Sequence, residues 1–226
     1  MDINTIAIIG GTGRQGSGLA LRLAKKDRAI IIGSRSEEKA VSVATAMKEK
    51  LGDEYQIIGT SNFYAANLAN ILIMCVPLQA QTNILKSILT TFKEKKILVD
   101  VTVPLETSIG GRPNTLLRLW QGSAAQRVAS LVPDTVEVVS AFQTLSASAL
   151  HNLSKSVDSD VIVCSDSDSA RETVMVLAEE IDGVRSLDGG PLSNSSIVEA
   201  LTPLLIHLNM RYKVNDAGIR VSGILI

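Results

Sequence analysis

The sequence predicts an α/β protein: a parallel sheet covered by helices on both faces, then a smaller C-terminal α/β domain that ends in a long helix. Three observations carry this prediction. Short β-branched runs alternate with stretches of helical spacing, at the interval that right-handed βαβ crossovers need. The runs are almost continuously apolar, as strands buried on both faces must be. The first run leads at once into a glycine-rich turn that opens a helix, Gly10-Gly11-Thr12-Gly13-Arg14-Gln15-Gly16.

Taken in order, strands are expected at 5–9, 29–33, 56–59, 71–76 and 97–103, with helices between them at 14–26, 37–51, 62–69 and 80–92. Residues 105–122 contain Gly110-Gly111-Arg112-Pro113-Asn114 and read as a loop across the sheet edge. A short helix at 124–131 and a strand at 136–142 follow. The last third repeats the alternation in smaller pieces: helix 147–153, strand 160–164, helix 170–181 and strand 184–187. A long helix starts at Ser193, with Pro203 expected to kink or restart it. The domain boundary is expected near 135, giving a first domain at 1–135 and a second at 136–226.

Composition bounds the function. The chain has 226 residues, 46% of them hydrophobic, enough for a substantial core. Lys and Arg total 22 against 23 Asp and Glu, with no basic cluster, and aromatics are 3%, so nucleic acid is not an expected partner. No apolar run reaches the length of a membrane span, and Met1-Asp2-Ile3-Asn4 shows neither a basic leader nor a cleavage site. The two cysteines, Cys75 and Cys164, lie in apolar runs and read as buried thiols, which fits a cytoplasmic protein.

Within the glycine turn, Gly11-x-Gly13-x-x-Gly16 fits the dinucleotide fingerprint of a Rossmann-type domain. Gly11 permits the tight turn, Gly13 lets a pyrophosphate approach the backbone, and Gly16 lets the helix pack close to the strand. Arg14 and Gln15 lie on the same helix start, whose free amides and dipole hold a diphosphate. The end of the second strand then selects the cofactor. NAD-binding chains usually place an acid there for the ribose hydroxyls; this chain has Gly33-Ser34-Arg35-Ser36-Glu37-Glu38-Lys39. Ser34, Arg35 and Lys39 suit a 2′-phosphate, since a guanidinium meets phosphate with two parallel hydrogen bonds. NADP(H) is therefore expected, against the plainer alternative of a solvated helix start that Ser34 or Ser36 merely caps.

The fourth and fifth strands end in Val76-Pro77 and Thr102-Val103-Pro104, at the carboxyl edge where ligands bind in such folds. Val76, Pro77, Thr102 and Val103 are expected to form one wall of a catalytic cleft, with two prolines that simply end strands as the alternative. Asp100 reads as a strand-end carboxylate bonded to nearby backbone, and His151 and His207 as structural or surface residues. H-E-x-x-H, C-x-x-C and G-x-S-x-G motifs are all missing, so neither a metal nor acyl transfer is expected. An oxidoreductase fits best, because hydride transfer rests on position and needs no named catalytic acid or base.

Beyond the fingerprint, the chain carries Gly33-Ser34-Arg35-x-x-x-Lys39-Ala40, Thr102-Val103-Pro104-Leu105, Val138-Val139-Ser140-Ala141-Phe142, Leu187-Asp188-Gly189-Gly190-Pro191-Leu192 and Leu201-Thr202-Pro203-Leu204. In these strings it resembles the NADPH-dependent reductases of the 5-deazaflavin coenzyme F420. The resemblance implies hydride transfer between the nicotinamide and the deazaflavin, with the latter held between the two domains. It also implies that Thr12 joins Ser34, Arg35 and Lys39 on the 2′-phosphate. Residues from Ala141 to Ala147, with Pro191 and Leu192, would form the second wall. Where the family typically has His, this chain has Gln143, which can hydrogen-bond but cannot carry a proton. Two alternatives stand beside this reading: an NADPH-dependent reductase of another acceptor (a flavin-linked metal site or an imine), and a non-catalytic NADPH-binding redox sensor. The apolar positions Ile197, Leu201, Leu204, Leu205 and Leu208 exceed what one helix needs to cover a small domain, so a homodimer is expected.

Overall fold

The computed structural model describes residues 4–224; Met1-Asp2-Ile3, on which the expectation of no leader was read, lies outside them. The first half alternates as expected: β1 (Thr5–Ile9), α1 (Arg14–Ala24), β2 (Ala29–Ser34), α2 (Glu37–Leu51), β3 (Ile57–Ser61), α3 (Asn62–Leu68), β4 (Ile71–Met74), α4 (Leu78–Ile88) and β5 (Lys96–Asp100). The second half holds α5 (Ala124–Ala129), β6 (Val136–Ser140), α6 (Ala147–His151), β7 (Ser159–Ser165), α7 (Asp168–Glu179), β8 (Val184–Asp188) and α8 (Ser195–Tyr212).

All eight strands join one sheet in the order β3-β2-β1-β4-β5-β6-β7-β8. Every pairing is parallel except β6 with β7. The sheet runs unbroken past residue 135, since β6 pairs with β5 from Lys96↔Val136 to Asp100↔Ser140. Strand order reverses between β1 and β4, the switch point beside which open α/β sheets bind ligands.

Side-chain alternation sorts the core into two layers. Ile6, Ile8, Ile30, Ile32, Ile71 and Ile73 pack with α1, α2 and α7 residues such as Leu19, Ala44 and Val174. Ala7, Ile9, Ile31, Leu72 and Met74 pack the other way, against Ala65, Ile84, Leu85, Ala125 and Val128. Both sets are buried, which is why the strands carry no polar face.

Several boundaries differ from the sequence reading. β4 and β5 end at Met74 and Asp100, earlier than expected, because the chain leaves the sheet ahead of Pro77 and Pro104. With Pro77 as its N-cap, α4 opens at Leu78 and tightens into a 3₁₀ turn at Leu89–Thr91. The loop at 105–122 contains a 3₁₀ turn at Glu106–Ile109 and a Leu105↔Leu116 bridge. Pro203 does not restart α8: the helix runs through it, and a buried proline there removes only one donor from the ladder. Among the described residues no helix is long and apolar enough to cross a membrane.

Candidate functional site

Register brings the strand ends to one level. Ile9 pairs with Gly33 and with Met74, Met74 with Asp100, and Asp100 with Ser140, so the segments after β1, β2, β4, β5 and β6 emerge side by side. The turn after β1 is drawn tight: Gly11 N donates to Ile8 O at 3.0 Å and to Gly33 O at 2.9 Å. A Cβ on Gly11 would lie 2.8 Å from Ile8 O, and one on Gly16 2.9 Å from Gly11 Cα. Both glycines are therefore required by protein backbone alone. Gly13 differs, since its Cβ would meet nothing closer than 3.5 Å. It is exposed and serves as the N-cap of α1 with no side chain to occupy the first-turn amides.

Three cavities line this edge. One of about 440 Å³ is bounded by Gly10, Thr12, Ser34, Arg35, Lys39 and Asn62, among others, and reaches Cys75 and Pro77. It gathers the four residues assigned to a 2′-phosphate. Ser34 is buried and its hydroxyl accepts from Ser36 N at 3.3 Å, leaving its own proton to donate. Ser36 caps α2 by accepting from Lys39 N, and Glu37 and Glu38 fill the first turn, so the capping alternative holds for Ser36. The Arg35 and Lys39 side chains are exposed, and no hydrogen bond or ion pair engages them among the described residues.

A second cavity of about 550 Å³ adjoins the first through Gly13 and Val76-Pro77 and is walled by Thr102, Val103 and Gln143. Arg14, Gln15, Gln143 and Thr202 lead from it into a third, of about 450 Å³, roofed by α8 through Thr202, Leu205 and Asn209 and closed by Ala147 and Asn215. The cleft thus runs from the Arg35 pocket, across the glycine turn, to the underside of the C-terminal helix.

The segment after β6 is held from several sides. Gln15 Nε2 donates to Phe142 O and Leu145 O, each at 3.2 Å, while Thr202 Oγ1 donates to Gln143 O at 3.0 Å. Phe142 is fully buried with φ +67°, a conformation a bulky residue keeps only when its surroundings enforce it. Gln143, 6% exposed, donates from Nε2 to Ser140 Oγ at 2.8 Å, and its Oε1 has no partner. A serine hydroxyl can bond either amide atom, so in both orientations one amide atom is left unmet. Arg14 reaches Ser148 Oγ, and His151 Nε2 contacts Arg14 O at 2.9 Å, tying α1 to α6.

Not every expected residue reaches the cleft. Ala141 is fully buried under it, its N–H on Asp100 O. Leu192 packs against Val136 and Val138 and lines a separate cavity of about 320 Å³, because Leu192 N is held by Asp166 Oδ1 as the chain turns from β8 toward α8. Pro191 is exposed in that turn and lines none of the three cleft cavities. Sequence reading missed Asn62, whose Oδ1 accepts from Gly10 N at 3.2 Å, and the roof residues Thr202 and Asn209. Polar residues interrupting the apolar run of α8 were the available signal. Asp100 is bonded to backbone as read, accepting from Thr102 N at 3.3 Å. Cys164 is buried, Cys75 half-buried, and both are free thiols.

Residues 5–104 match the family described as NADP oxidoreductase, coenzyme F420-dependent. The F420-dependent NADP reductase of Methanothermobacter thermautotrophicus is 46% identical over 97% of this chain and 95% of its own. That of Methanocaldococcus jannaschii is 45% identical over 97% of this chain and 98% of its own. A crystal structure from Arthrobacter sp. FB24, of a candidate F420-dependent NADP reductase, superposes with a TM-score of 0.80 over 96% of this chain and 98% of that one. At 22% identity that superposition carries the fold.

Proposed function

Because the chain belongs to the F420-dependent NADP reductase family, we propose that it transfers a hydride between NADP(H) and the 5-deazaflavin coenzyme F420, as a cytoplasmic homodimer. The observation that carries the NADP(H) side is the 440 Å³ cavity in which Thr12, Ser34, Arg35 and Lys39 converge, with the two cations free of partners among the described residues. That donor set fits a phosphate monoester. The uncapped start of α1, with Gly13 open above it, fits a diphosphate. Gln143 lines both of the other two cavities and keeps one buried amide atom unmet, which, with the side chain turned toward the cleft, fits a ring or carboxamide that presents a hydrogen-bonding edge.

When bound, the two cofactors supply the hydride-donating and hydride-accepting carbons. The chain supplies position. Val76, Pro77, Thr102 and Val103 make a firm wall, since Thr102 Oγ1 lies 3.3 Å from Val76 O and links the two strand ends. Gln143 and Ala147, under Thr202 and Leu205 of α8, make the opposite side. Residues 1–135 would thus hold NADP(H) and residues 136–226 complete the acceptor end. Holding two rings at near-attack distance accounts for a large part of such a barrier.

The test is optical. Mixed with NADPH, the purified protein should bleach the absorbance of oxidised deazaflavin catalytically, and NADH should serve poorly. Turnover of an imine or a flavin-linked metal instead would transfer the assignment to another acceptor. Tight NADPH binding with no turnover on any acceptor would make the chain a redox sensor.

A further inference from the structure

Beneath the Thr102 wall lies a carboxyl group that the positional mechanism does not use. Asp100, 1% exposed, accepts from Thr102 Oγ1 at 2.7 Å and Thr102 N at 3.3 Å on Oδ1, and from Gln81 Nε2 at 3.2 Å on Oδ2. Among the described residues no cation pairs with it: Arg127 acts only at longer range, its guanidinium bonded to Thr82 Oγ1. Its other charged or titratable neighbours are the Cys75 thiol and the buried Glu199 of α8, whose carboxylate holds Ala124 N and Ala125 N. Neither compensates a negative charge on Asp100.

The surrounding bonds serve both protonation states. Gln81 is fully buried with Oε1 unpartnered. Its amide donates to an ionised Oδ2 and, turned over, accepts from a protonated one. The Thr102 hydroxyl likewise donates to an ionised Oδ1 or accepts from a protonated one, its own proton then turning to Val76 O at 3.3 Å or to a ligand in the cleft. Thr102 also lines the 550 Å³ cavity, whereas Asp100 does not, so the hydroxyl is a route for a proton between the carboxyl and the cleft.

We propose that Asp100 is a proton-coupled counter-charge to the nicotinamide, ionised while the ring is cationic and protonated through Thr102 Oγ1 once a hydride has neutralised it. The inference rests on the cleft holding NADP(H). The proton balance of the reaction calls for such a group: NADPH, oxidised deazaflavin and one proton give NADP⁺ and dihydrodeazaflavin. In that direction Thr102 Oγ1 gives up its proton toward the cleft and takes one from Asp100 Oδ1; in the other, Asp100 receives the proton that the hydride leaves behind. Burial pushes the Asp100 carboxyl up to about 7, so both states are populated near neutrality. A nearby cation favours the ionised form and lowers the carboxyl by about one unit or more.

Nucleotide binding tests this without turnover. Titration calorimetry near pH 7 in two buffers of different ionisation enthalpy should show NADP⁺ releasing roughly 0.4 proton more than NADPH, the consequence of moving a half-protonated group down by about one unit. Both nucleotides carry the same 2′-phosphate, so its titration cancels in the difference. In Asp100→Asn the difference should vanish. Should that variant not fold, Glu199→Gln decides, because, with the one other carboxyl among the described residues that burial raises into this range removed, NADP⁺ should still gain close to tenfold in affinity over NADPH from pH 5 to pH 8. A flat ratio, equal proton release, or a difference that persists in Asp100→Asn overturns the inference while leaving the cleft assignment standing. Failure of both nucleotides to bind overturns the cleft assignment and the inference with it.

Discussion

Gln15 and Phe142 meet across the cleft: the amide of the first sits on the first turn of the glycine-loop helix, and its Nε2 holds the carbonyl of the second at 3.2 Å. The same nitrogen holds Leu145 O, so the helix start proposed to carry the diphosphate also fixes the segment presenting Gln143. The glycine-loop helix and the acceptor end of the cleft are therefore tied directly to each other, which suits a reaction governed by position.

Gln143→Ala should weaken the deazaflavin more than it slows the hydride step, because the side chain offers one unmet hydrogen bond and no proton. A net hydrogen bond is worth about 1 kcal/mol, so the acceptor KM should rise roughly fivefold. Single-turnover hydride transfer, with both cofactors saturating, is the check. A fall of more than about a thousandfold, some 4 kcal/mol of barrier, would mean that Gln143 acts in the chemical step.

Arg35→Ala should cost NADPH roughly 10- to 150-fold in affinity, the loss of a charge-assisted bond of about 1.5–3 kcal/mol. NADH should hardly change, since the Arg35 guanidinium holds nothing else among the described residues. Equal losses for the two nucleotides would remove the assignment of the 440 Å³ cavity to the 2′-phosphate.

The outer face of α8 carries the dimer prediction. Ile197 and Leu204 are 66% and 54% exposed and lie on one face with the half-buried Leu201 and Leu208, whereas Leu205 turns into the protein. Sedimentation should give twice the 24.1 kDa chain mass at micromolar protein, and Leu204→Glu should shift it toward monomer. A wild-type monomer at that concentration rules the dimer out.

The fingerprint, the NADP-type strand end and the alternating first half were legible because each is written in local residues. The closest contacts that dictate Gly11 and Gly16 are with backbone of the turn itself, and Ser34, Arg35 and Lys39 are set by their distance from one strand end. Other features depend on distant pairing. Nothing around Pro191 and Leu192 announces that Asp166 turns them away from the cleft. Nothing near Pro203 announces that packing carries α8 through it. The β6–β7 reversal is equally silent, since an apolar strand reads the same in either direction.

The tail after α8 makes the last prediction, and it joins stability to the acceptor site. Asp160 is fully buried and receives Arg185 through Nε at 2.9 Å and Nη2 at 2.6 Å, Arg220 Nη1 at 2.7 Å and Val221 N at 2.7 Å. Arg220 is shared with the exposed Asp158. This clamp anchors the tail that returns past the cleft, where Val214, Asn215 and Ala217 line the 450 Å³ cavity. The arginines, Arg185 foremost, hold the Asp160 carboxyl well below the usual carboxylate range. A depressed carboxyl contributes stability that is complete above its unfolded pKa, near 4, and is lost as pH falls toward its folded value. Asp160→Asn should therefore cost about 3 kcal/mol at pH 7, the low end for a broken buried pair because both arginines keep some water. Measured by urea unfolding, the gap to wild type should stay level from pH 7 to pH 5 and narrow below pH 4. At pH 7 the folded variant should also show a raised deazaflavin KM with NADPH affinity intact, as only the acceptor end loses its anchor. A gap that persists unchanged to pH 2.5 would mean that the charge of Asp160 is not what secures the tail. Equal weakening of both cofactors would mean that the tail supports the whole cleft rather than its acceptor end.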